Sequence, residues 1–270
     1  MEIIVTKFVV VVLPNEASAY EASRALKVLH AEGALTVYSM AILAKSRDGA
    51  VSIRENVEGG PLGLAVGSLI GGLVGLLGGP VGALAGMVGG AMIGSMSDLV
   101  NLGLDADFVK DVSTHLVAGK TAVVAEVDEA WDTPIDVRMQ ALGGTVMRSW
   151  RADFEDEQLV KQIAHEDTDF EKLKIAYGRA KDDAKTKLKT SIDHAKTRLD
   201  KVGTRVGARF ISLNGEMEAK IAVLEKQATV ARAHTKDEID ERLANLRADY
   251  KTRETKLKKA WDLTKSALAA

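Results

Sequence analysis

Cysteine is absent from the 270 residues. Disulfides, thiolate catalysis and cysteine-held metals are therefore excluded, and a reducing compartment is permitted. Proline occurs only four times, and none follows Pro134. The third scarcity is local, because residues 59–97 contain no charged side chain. These absences divide the chain into zones that its net charge of −2 conceals. Residues 1–154 carry 11 Lys and Arg against 17 Asp and Glu, while residues 155–270 carry 25 against 21. An acidic body thus precedes a mildly basic, densely charged tail.

The body reads as alternating strands and helices. Lys7–Leu13, KFVVVVL, is a β-branched run stopped by Pro14. Glu2 and Lys7 interrupt the apolar N-terminus and no small-residue cleavage site follows, so Met1–Pro14 reads as a mature strand and not a signal peptide, which favours a cytoplasmic setting. Asn15 supplies an N-cap for a helix with Ala22, Ala25, Leu26 and Leu29 inward, ending at Gly33. Leu35–Leu43 is a strand, and Asp48-Gly49 marks a hairpin into Val51 and Ile53. Beyond the uncharged segment, Asp105 caps a helix with Phe108, Val109, Val112 and Leu116 on one stripe, and residues 121–127 form a strand. With residues 59–103 omitted the order is βαββαβ, the ferredoxin-like arrangement. A further helix capped by Thr133, with Pro134 at its first position, and a strand over residues 145–150 complete an α+β body over 1–58 and 98–154.

In residues 59–97 glycine recurs every fourth position. Gly63, Gly67, Gly71, Gly75 and Gly79 line one helical groove, and Gly78, Gly82, Gly86, Gly90 and Gly94 a second, with Gly78, Gly79 and Pro80 as the turn of a helical hairpin. Glycine costs about 1 kcal/mol relative to alanine inside a helix, so ten of them require compensation by close backbone packing. Each step of four residues rotates about 40° around the axis, so the grooves wind and ask for more than one neighbour: the sister arm and another copy of the chain. Each arm spans roughly 27 Å, close to the thickness of a hydrocarbon core. The segment lacks a Trp and Tyr belt and its flanking charges are acidic, so lipid and a protein assembly both stay open as its surroundings.

The stretches KFVVVVLPNEASAYEASRALKVL and KTAVVAEVDE, separated by the apolar glycine insertion, resemble a family of uncharacterised bacterial membrane proteins of unknown function. The resemblance covers about residues 6–152. It implies a bacterial origin and a membrane link, carries over no active site, and leaves the tail outside the shared pattern.

The tail, 155–270, reads as a coiled coil or helical hairpin. Leu188, Ile192, Ala195, Leu199, Val202 and Val206 follow the four-three spacing of a heptad stripe, resumed at Ile239, Leu243, Leu246 and Tyr250. Glu157 with Lys161, Glu216 with Lys220 and Glu238 with Arg242 stand four apart as helix-stabilising pairs. Asn214-Gly215 offers a turn between arms of nearly equal length. The interleaved acids argue against a nucleic-acid or lipid-headgroup face.

Signs of catalysis are few. The histidines, His30, His115, His165, His194 and His234, have no metal-ligand spacing, and no glycine-rich loop has phosphate-binding context. Asp111 and His115 read as a surface ion pair, and Trp131, Trp150 and Trp261 as packing anchors. The cluster Glu155-Asp156-Glu157 reads as acids favoured by a helix N-terminus. No catalytic, cofactor or metal residue is assigned. The expectation is a non-enzymatic, self-assembling structural protein whose partners are its own copies, with lipid as a further partner where the hairpin enters the inner face of the cytoplasmic membrane. The rival reading is a small-ligand sensor or enzyme built on the α+β body.

Overall fold

The computed structural model describes residues 6–57, 106–150 and 154–269. The glycine grooves, the turn at Gly78-Gly79-Pro80 and the Asp105 cap lie outside the described residues. The fold is mixed α+β and divides into two compact units, Met1–Ala152 with Glu216–Arg247, and Asp153–Gly215 with Ala248–Ala270.

In the first unit the elements are β1 (Lys7–Leu13), α1 (Glu16–Glu32), β2 (Leu35–Lys45), β3 (Val51–Val57), α2 (Ala106–His115), β4 (Thr121–Glu129), α3 (Thr133–Ala141) and β5 (Thr145–Trp150). The strands form one antiparallel sheet in the order β3-β2-β4-β1-β5. The β-branched residues of β1 and β4 are buried on both faces, as central strands require. One face packs Val9, Val11, Met40, Ile42, Val123 and Ala125 against Ala22, Leu26 and Leu29 of α1 and Ile135 and Met139 of α3. The opposite face packs Phe8, Val10, Leu43 and Val124 against Phe108, Val109, Val112 and Leu116 of α2. Each fully buried leucine, valine or phenylalanine contributes about 1.5–3 kcal/mol. The helices sharing a face are thus α1 and α3, whereas α2, the second helix of the expected βαββαβ order, covers the other.

Local chemistry follows the sequence at most ends. Asn15 accepts from the Ser18 N–H at 3.0 Å, and Gly33 closes α1 at φ 78°. The N-cap of α3 is Asp132, not Thr133, and it makes no side-chain capping bond. Its carboxylate accepts instead from Lys7 Nζ at 2.9 Å, which holds it below the usual carboxylate range. His115 does not pair with the Asp111 carboxylate: its Nδ1 lies 2.8 Å from the Asp111 carbonyl oxygen. Trp131 is 69 % exposed and anchors no core.

The tail is three helices, α4 (Phe154–Arg179), α5 (Asp182–Val230) and α6 (Ala233–Ala269). Asn214-Gly215 does not turn the chain, because α5 runs straight through it, and the breaks fall at 180–181 and 231–232. Leu213, Glu216 and Lys220 are buried on either side of the expected turn, and that packing offsets the roughly 1 kcal/mol that glycine costs a helix. In the second unit Ala195, Leu199, Val202 and Val206 of the expected stripe are buried and Leu188 and Ile192 half-buried. Phe170 of α4 packs on Ala195 and Leu199. A Cβ at Gly203 would stand 2.4 Å from the Trp261 ring, so this glycine admits the indole of α6.

Candidate functional site

Within the first unit, a buried collection of polar groups lies where β2 and β4 run past α2. Strand residues two apart share a face, so Glu126 and Asp128 extend the row begun by Ala122 and Val124. Opposite them β2 carries a bulge: Val37 pairs with Val127 and Ser39 with Glu126, leaving Tyr38 as the extra residue. Bulges re-aim side chains. Here the Tyr38 hydroxyl donates to Asp128 Oδ2.

The segment Glu216–Arg247, the end of α5 and the start of α6, supplies the remaining groups. Lys220 is 1 % exposed, with its ammonium 2.7 Å from Glu126 Oε1 and 4.6 Å from the centroid of the Tyr38 ring. It also donates to Thr6 Oγ1 at 3.3 Å. The expected Glu216–Lys220 pair is replaced by this contact with the sheet. Gln227 accepts from Thr36 Oγ1 at 2.7 Å and donates to the carbonyls of His30, at 2.6 Å, and Leu35, at 2.8 Å. Arg242 donates to Thr36 Oγ1 at 3.3 Å and lies 3.7 Å from Glu238. Gly33 completes the fit, since a Cβ there would meet Thr235 of α6 at 2.9 Å.

Burial sets the electrostatics. It pushes the Asp128 carboxyl above its ordinary value, against the opposing pull of Lys220 and the Tyr38 hydroxyl. Burial and the charges of Arg242 and Lys226 lower His30, whose Nδ1 accepts from the Val37 N–H at 3.2 Å. A depressed histidine favours the folded state when neutral, so its contribution is present above the unfolded value of about 6.5 and is lost as pH falls through the lower folded value. The wild-type melting temperature should therefore drop on acidification below about pH 6.5, and the His30→Gln variant should show a shallower drop over that interval. Equal slopes in paired thermal melts would refute the assignment.

In chemical terms the arrangement is a fastening. Two carboxylates, an ammonium and a guanidinium face one another beneath the chain's own helices, and Lys220, Gln227 and Arg242 of the tail join them to the sheet and to the end of α1. Among the described residues no three His, Asp or Glu side chains gather as a metal site. No described helix is long and apolar enough to cross a membrane. Nothing in the sequence alone marks these groups as a site. The available signal was two acids on one face of an otherwise apolar strand, in residues 121–129.

The second unit holds another fastening, at an acid whose sequence context suggests only helix-end electrostatics. Asp156 is buried and accepts from Arg209 Nε and Arg253 Nε, each at 2.6 Å. It ties α4 to both α5 and α6.

The family model described as a protein of unknown function, DUF1269, matches residues 64–164. The matched stretch includes α2, β4, α3, β5 and the first turns of α4, and hence Glu126, Asp128 and Asp156. No curated protein and no solved structure matches the chain.

Proposed function

We propose that the chain is a non-enzymatic self-assembling structural protein. The observation that supports this reading best is the closure of a buried charged cluster: Glu126, Asp128, Lys220 and Arg242 are each less than 4 % exposed and are engaged by one another and by neighbouring backbone and hydroxyl groups. Such groups set the register of a docked helix pair, since misplacing a buried charge is costly. In this reading the body is ferredoxin-like, with β1-α1-β2 and β4-α3-β5 as its two halves and β3 and α2 added. The body presents the glycine segment as a helical hairpin, which packs against other copies through Gly63 to Gly94, within a membrane entered from its cytoplasmic face or within a protein assembly. The bacterial, membrane-linked resemblance supports the same view.

The test is cell fractionation followed by native mass measurement of the full chain with and without detergent, for wild type and Gly71→Leu/Gly86→Leu. Wild type is expected as an oligomer, and the leucine variant at lower mass or with altered partition. Unchanged mass and partition in the variant would sink the assembly role of the glycine segment.

A further inference from the structure

The described surface of the second unit holds a groove that begins at the Asp156–Arg253 fastening and extends beyond it. In the second unit α4 pairs with α5 through Asp156 and Arg209, Gln162 and Arg205, and Glu166 and Arg198, so the two helices run antiparallel. Trp261 against Gly203 and Arg253 beside Asp156 set α6 antiparallel to α5 and parallel to α4. Between α4 and α6 lies a groove of about 520 Å³. It extends from Asp156 to Thr168, a rise of about 18 Å. Val160, Ile163, Ala164 and Ala260 supply its apolar surface.

The two walls differ in charge. The α6 wall carries Lys256 and Lys259, both exposed, above the buried Arg253. The α4 wall carries Glu157 and Asp167, with Lys161 as its one base, 4.0 Å from Glu157. One oxygen of Asp167 is shut off from solvent and has no hydrogen-bond donor among the described residues.

We infer that this groove is an interface for a second copy of the chain. Symmetry makes the charges decisive. A two-fold axis running along the groove brings each α4 wall against the partner's α6 wall, acid over base, with the apolar floors facing each other. A two-fold axis across the groove would set acid over acid and base over base. The groove is therefore self-complementary in one orientation, as an isologous interface must be, and its flanking charges select that orientation as they do beside coiled-coil seams. The contact joins two copies of the second unit in parallel and is built from residues other than those of the glycine segment. It rests on the self-assembly reading only in requiring that copies meet.

The test uses the full chain and two charge-reversed variants, Lys256→Glu/Lys259→Glu and Glu157→Lys/Asp167→Lys, with folding checked by circular dichroism. Each variant alone is expected to weaken self-association at least tenfold in sedimentation equilibrium, and their equimolar mixture to recover it as a heterodimer. Variants that associate as wild type does, or a mixture that fails to recover, would overturn the interface. So would a monomeric wild type whose groove binds a fluorescent fatty acid. Gly71→Leu/Gly86→Leu, measured in parallel, separates the two ideas. If only that variant loses mass, self-assembly stands and the groove interface falls. If only the charge variants lose mass, the groove stands without the glycine contact.

Discussion

Lys220→Met is expected to destabilise the first unit by about 3–5 kcal/mol, the usual consequence of removing one partner from a buried ion pair. The ammonium sits 2.7 Å from Glu126 at a position 1 % exposed, so water does not replace it without opening the contact between helix and sheet. Methionine keeps an unbranched side chain one atom shorter and much of the contact with the Tyr38 ring. The loss is thus chiefly one of charge. A 1 kcal/mol change shifts the melting temperature of a domain of 150–250 residues by about 2–4 °C, so a fall of roughly 6–20 °C should appear in a thermal melt. The double variant Glu126→Met/Lys220→Met removes both charges and should recover most of that loss, because a packed apolar pair often equals or exceeds a buried ion pair. Hydrogen exchange gives the local reading. Amides of residues 34–39, which the tail covers, should lose protection in the single variant and regain it in the double. A single variant within 1 kcal/mol of wild type would show that the pair does not hold the tail.

The contrast between what was readable in sequence and what was not has a physical basis in periodicity. Caps and strands are written in residues close together, so Asn15, Gly33, Asp48-Gly49 and the β-branched runs of β1 and β4 indicate their own structure. Of the stripe Leu188, Ile192, Ala195, Leu199, Val202 and Val206, the last four are buried and the first two half-buried. Lys220 stands differently. In a helix dense with Lys and Glu, nothing local distinguishes the lysine that turns to a sheet from its solvated neighbours, and Glu216 four residues earlier is the partner that spacing alone suggests. Asn214-Gly215 carries a turn signal that tertiary packing overrides, while the actual break at 231–232 has neither glycine nor proline to announce it. Tyr38 is legible as a strand residue but not as a bulge, since the extra residue is defined by its pairing with β4. The row Ala122, Val124, Glu126, Asp128 is the exception. Its change from apolar to acidic on one face predicts a cationic cover.

The second unit gives the companion prediction. Asp156→Asn should destabilise it by about 3–5 kcal/mol, because Arg209 and Arg253, 7 % and 5 % exposed, lose the carboxylate they share. Asparagine preserves the shape and one acceptor oxygen, so the loss isolates the charge. Arg253 keeps a weaker contact with Asp249 at 3.7 Å, and Arg209 keeps Ser212 at 3.4 Å, yet neither joins α4 to the other two helices. Exchange protection should therefore fall along the buried stripe of α4, at Leu159 and Ile163, and at Leu257 of α6. Salt separates this site from its surroundings. At 1 M the screening length is about 3 Å, which suppresses exposed pairs such as Glu157–Lys161 but leaves a buried one largely intact. The difference in stability between wild type and Asp156→Asn should thus persist in urea titrations at 1 M NaCl, whereas the effect of Glu157→Gln should shrink toward zero. A difference that vanishes in high salt would place Asp156 among solvated surface acids, returning it to the helix-end role its sequence neighbourhood suggests.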